Sequence, residues 1–79
     1  MYRKASKANR TFVQHKIDFI KKCYDTVSSV EYSGEGHIKI VGQGKRTAPY
    51  IAYMGNAQLA NNLAKAISED YNIEFKKVS

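Results

Sequence analysis

Seventy-nine residues carrying a formal charge of +6 fit one small domain and exclude a second. A chain this short buries only about 60% of its unfolded surface, so its core calls for a disulfide, a metal or oligomerisation as support. The single cysteine, Cys23, excludes an intramolecular disulfide, and His15 and His37 alone beside it exclude a CxxC- or HxxxH-type metal set, which leaves a homodimer as the expectation and no cofactor.

The charge is uneven along the chain. Arg3, Lys4, Lys7, Arg10, Lys16, Lys21 and Lys22 face the single acid Asp18 before position 23, leaving six basic and six acidic residues in the remainder. Concentrated positive charge raises the local potential and speeds encounter with a polyanion. The plainer alternative is a solvated basic segment that aids solubility. Residues 1–10 mix small, polar and basic types without periodicity, which predicts a flexible basic N-terminal arm ahead of a single α+β domain over 11–79.

From about Thr11 the apolar residues Val13, Ile17, Ile20, Tyr24 and Val27 recur at alternating steps of four and three, one stripe of an amphipathic helix running to Ser28-Ser29. Phe12, Phe19 and Cys23 widen that face, so the helix is expected to pack on a sheet. Phe12 and Val13 also fit a short leading strand, and that alternative stays open. Val30–Ser33 and His37–Val41 alternate around Gly34-Glu35-Gly36 and predict a hairpin, with Ile38 and Ile40 facing the core and His37, Lys39 and Val41 facing away. Gly42-Gln43-Gly44-Lys45-Arg46 follows as a glycine-rich basic loop.

Residues 49–54, PYIAYM, have two readings. They form a strand ended by Gly55 with Asn56 as the next N-cap, or Thr47 caps a longer helix with Pro49 in its first turn. The Gly55-Asn56 pair favours the strand. Both readings place a helix over Ala57–Ser68, where Leu59, Leu63 and Ile67 form the buried stripe. Ile73, Phe75 and Val78 then mark a closing strand. The fold class is α+β: a two-layer sandwich with two helices packed on one face of a three- to four-stranded sheet.

The loop has three properties suited to phosphate. Gly42 and Gly44 permit close backbone approach and positive φ, backbone amides there can point at an anion, and Lys45 and Arg46 supply charge. It is neither a Walker loop nor GxGxxG. Tyr2, Tyr32, Tyr50 and Tyr53 are further candidates, as aromatic platforms for bases. Neither histidine has a carboxylate or nucleophile at a recognisable spacing, so no catalytic residue, enzyme activity or small-molecule substrate is expected. No apolar run is long enough to span a bilayer and the N-terminus lacks a secretory signal, so no membrane partner and an intracellular setting, cytoplasm or nucleoid/nucleus, are expected.

These features lead to sequence-tolerant binding of DNA and/or structured RNA, with Arg3, Lys4, Lys7, Arg10, Lys16, Lys21, Lys22, Gly42, Gly44, Lys45 and Arg46 on the phosphates. A protein-interaction subunit of a larger assembly, ribonucleoprotein assemblies included, is the alternative. From about residue 12 onward the chain resembles the Alba superfamily of small basic DNA- and RNA-binding proteins. In the family's basic-Gly-basic turn, Gly44 and Lys45 match while Gln43 does not, and Lys16 carries over from its lysine pair. The resemblance implies a dimer gripping duplex DNA or structured RNA through both subunits.

Overall fold

The computed structural model describes residues 7–78, with side chains from residue 11 onward. Its elements run α1 (Lys7–Cys23), β1 (Tyr24–Ser33), β2 (His37–Gly44), β3 (Tyr50–Tyr53), α2 (Ala57–Tyr71) and β4 (Lys76–Val78). The four strands form one mixed sheet in the order β3-β2-β1-β4. Its first three strands form an antiparallel meander, and β4 returns beside β1 in parallel, pairing Glu31 with Lys76 and Ser33 with Val78.

The first helix ends earlier than its hydrophobic period implies. Val13, Ile17 and Ile20 are its buried stripe, but Tyr24 and Val27 belong to β1. The segment from Tyr24 to Val30 supplies serine, aspartate and β-branched residues, which are poor helix formers and, for the β-branched ones, good strand formers. What gave it a helical look is a pair of register shifts in the β1–β2 ladder. Tyr24 and Thr26 face the adjacent residues Gly44 and Gln43, and Val27 and Ser29 face Gly42 and Val41, so Asp25 and Ser28 are each an extra residue on β1. An inserted residue turns a period of two into a step of three. The inward residues are therefore Tyr24, Val27 and Val30, all buried.

At the other end of α1, Lys7 and Arg10 lie within the helix and not in an arm, whereas Tyr2, Arg3 and Lys4 lie outside the described residues. Phe12 and Val13 are helical, which closes the leading-strand alternative.

The hairpin forms over the expected segments. Ile38 and Ile40 are fully buried, and His37 and Lys39 are exposed. Residues 50–53 are a strand, as Gly55-Asn56 favoured. Asn56 then caps α2, its side chain accepting from the Leu59 amide at 2.9 Å. The helix runs to Tyr71, three residues past the expected end, and stops at Asn72 in the left-handed conformation (φ 56°). Asparagine tolerates that conformation better than most residues. The closing strand is confined to Lys76–Val78, while Ile73 and Phe75 pack against the core ahead of it. Asn56→Ala should lower unfolding stability by about 1 kcal/mol, read by denaturant titration, because one helix-end amide loses its acceptor.

Leu59, Ala60, Leu63, Ala64 and Ile67 of α2 join Val13, Ile17 and Ile20 of α1 and Val27, Val30, Ile38, Ile40 and Tyr50 of the sheet in one core. Both helices therefore cover the same face of the sheet. Across the opposite face runs the row Ile51, Lys39, Glu31, Lys76, set by direct cross-strand pairing, and no described element covers it.

Candidate nucleic-acid interface

The loop after β2 is tied to the end of α1. Cys23, the last residue of that helix, offers its carbonyl to the Arg46 amide at 3.0 Å, and the next residue, Tyr24, donates its hydroxyl to the Ala48 carbonyl. Lys21-Lys22, immediately before Cys23 in the chain, and Lys45-Arg46 are thereby brought near one another. Lysines in the last turn of a helix also complement its negative pole. Lys22, Lys45 and Arg46 are exposed there.

The cations differ in how they are held. Lys21 pairs with Asp70 at 3.6 Å across the α1–α2 contact, both side chains being largely solvated. Arg46 donates from Nε to the Ala48 carbonyl (3.2 Å) and from a terminal nitrogen to the Pro49 carbonyl (3.3 Å), which curls the guanidinium along its own loop. Lys16 is half-buried, with Nζ 5.3 Å from the centroid of the Phe12 ring. Lys22 and Lys45 are the most simply presented charges. Asp18 and Asp25 are the exposed acids on α1 and at the start of β1.

Gly42 and Gly44 are not in a loop, since both lie in β2, and neither has positive φ; among the glycines that conformation is found at Gly36 and Gly55. Their role is close packing. A Cβ on Gly42 would stand 2.3 Å from the Thr26 carbonyl oxygen, and one on Gly44 would stand 2.6 Å from the Asp25 nitrogen and the Cys23 oxygen. These contacts are with the bulged start of β1, so the two glycines let β2 press against the strand that holds the loop in place.

Tyr24 links the core to the loop. It is buried beside Gly42, its hydroxyl holds Ala48, and its carbonyl accepts from the Tyr71 hydroxyl at 2.6 Å. Burial, with smaller contributions from Asp25, Asp70 and Cys23, holds the Tyr71 hydroxyl above the usual tyrosine value, so it remains the donor in this bond. Tyr24→Phe should cost about 1 kcal/mol of stability, measured as a lower melting temperature by roughly 4–8 °C, because the Ala48 carbonyl loses the hydroxyl that donates to it.

The aromatic candidates divide. Tyr50 is buried, and Tyr32 is half-buried with its hydroxyl accepting from the Asn61 side chain at 2.9 Å. Tyr53 is 60% exposed and lies against the His37 ring with centroids 4.9 Å apart. His37 is exposed, its Nδ1 4.0 Å from a Glu35 carboxylate oxygen. Phe12 and Phe19, assigned from the sequence to the core face, are instead 38% and 45% exposed. The signal was present in the spacing: each precedes a buried residue, Val13 or Ile20, by one position, a rotation of about 100° around the helix. They form a second apolar stripe that opens into a cleft.

Among the described residues no three His, Cys, Asp or Glu side chains group as a metal site, and no helix is long and apolar enough to cross a membrane. No family model, curated protein or solved structure matches the chain.

Proposed function

We propose that this protein binds nucleic acid through the phosphate backbone with little sequence preference. The observation that carries the reading is the Arg46 to Cys23 backbone bond, which joins the basic end of α1 to the basic loop. Lys22, Lys45 and Arg46 contact phosphates in this reading, with Lys16 further back along α1 and Lys21 exchanging Asp70 for phosphate when the ligand binds. Lys7 and Arg10, in the first turns of α1, are assigned further phosphate contacts in this reading, as are Arg3 and Lys4, which lie outside the described residues. No catalytic step is assigned.

Phosphate contacts release condensed counterions, so log affinity for duplex DNA should fall with log salt at about −0.9 per contact. Titrating a labelled duplex of mixed sequence at several salt concentrations tests this: a slope steeper than about −2, alike for unrelated sequences, supports it, and salt-independent or absent binding rejects it.

The bare face of the sheet favours a second role for the same molecule. Ile51 is 66% exposed and Tyr53 60% exposed there, while Lys39 and Lys76 flank Glu31, so this face mixes exposed apolar side chains with charges of both signs where the α1 end is cationic. A homodimer through this face would supply the burial that a small core lacks. The alternative reading, a subunit docked on another protein, would use the same surface. Sedimentation of the free protein tests the dimer.

A further inference from the structure

We infer that the cleft between α1 and β3 receives an unpaired nucleobase, so the preferred ligand is a single-stranded or looped nucleic acid. The inference rests on the nucleic-acid reading above and names the ligand's form. The cleft is open to solvent, measures about 440 Å³ and is lined by Phe12, His15, Lys16, Phe19 and Tyr50. Phe12, His15, Lys16 and Phe19 stand at i, i+3, i+4 and i+7, a single face of α1 separate from the buried stripe of Val13, Ile17 and Ile20. Two phenylalanines left partly in water on a domain with so little apolar surface to spare are costly unless something covers them.

What covers them is indicated by the chemistry of the rim. The lining contains rings and a cation and no acid. Tyr50 forms the wall, its ring 5.7 Å from that of Phe19 at a tilt of 46°. The residue before it, Pro49, accepts from the Arg46 guanidinium at 3.3 Å, which ties that cation to the chain next to the cleft wall. Lys16 is itself part of the lining, its Nζ over the Phe12 ring. An apolar protein partner would gain nothing from these charges, whereas a nucleotide presents a flat aromatic base joined to an anion. Bases stack on aromatic side chains whatever their sequence. A base inside a duplex is already stacked and paired, so only an unpaired one fits.

The test compares three ligands of equal length: a single-stranded oligonucleotide, the same strand with its bases removed, and the matching duplex. The single strand should bind the whole protein about tenfold more tightly than the abasic strand. Phe12→Leu with Phe19→Leu, which keeps apolar bulk and removes the rings, should abolish that advantage while leaving abasic-strand affinity and salt slope unchanged. Circular dichroism of the variant checks its fold, and the single Phe19→Leu variant serves if the double one is impaired. Equal binding of single and abasic strands by the native chain overturns the inference while leaving the phosphate reading standing. Failure to bind any of the three overturns both. If the leucine variant instead loses self-association and keeps its preference for bases, the cleft belongs to a second copy of the chain and the inference is wrong.

Discussion

Gly42→Ala is expected to destabilise the protein by about 3 kcal/mol or more, a large part of the roughly 4–12 kcal/mol available to a domain of this size. The added methyl would meet the Thr26 carbonyl oxygen at 2.3 Å, and that oxygen is backbone, held in the bulged ladder. No rotamer change can relieve the contact. Either β2 separates from β1 or the bulge is expelled, and expelling it would turn Val27 away from the core. Denaturant unfolding measures the loss. An unchanged midpoint would show that the close approach of these strands is misdescribed. Gly44→Ala meets backbone at 2.6 Å and should behave similarly, with the added effect of loosening the Cys23 carbonyl that anchors Arg46.

Lys45→Ala with Arg46→Ala should reduce affinity for duplex DNA about 30-fold near 0.15 M salt and flatten the salt slope by about 1.8, the amount for two lost phosphate contacts. The fold should survive. The anchoring bond to Cys23 uses the Arg46 amide, which alanine retains, and both side chains are exposed. Exposed substitutions of this kind usually change stability by less than about 0.5 kcal/mol. Loss should be uniform across sequences, since phosphate contacts carry no base information. A loss confined to one sequence would point to base reading; no loss would remove the loop from the interface.

Much of the fold is legible in the sequence because its signals are local. The alternation of His37–Val41, the Gly55-Asn56 stop and start, and the Leu59, Leu63, Ile67 stripe each specify one conformation within a few residues. The end of α1 is not legible in this way. A helix with apolar steps of three and four and a strand with two bulges bury residues at the same spacing, and a bulge is visible only when the partner strand is in place. The GQGKR segment was misplaced for a related reason: its glycines look like a flexible loop, yet close approach to β1 demands them. The basic end of α1 was visible as charge, but the bond that brings Arg46 to it joins residues far apart in sequence. Phe12 and Phe19 were visible as apolar, while their separation from the core required following the helical rotation one residue further.

The central claim is that the end of α1 and the loop after β2 act on one polyanion, and amide shift mapping with a short mixed-sequence oligonucleotide tests it most directly. Shifts should cluster at Lys16–Cys23 and Lys45–Tyr50, move together through one titration, and spare the bare sheet face. Shifts centred on Lys39, Ile51, Tyr53 and Lys76, with the α1 end unmoved, would contradict it.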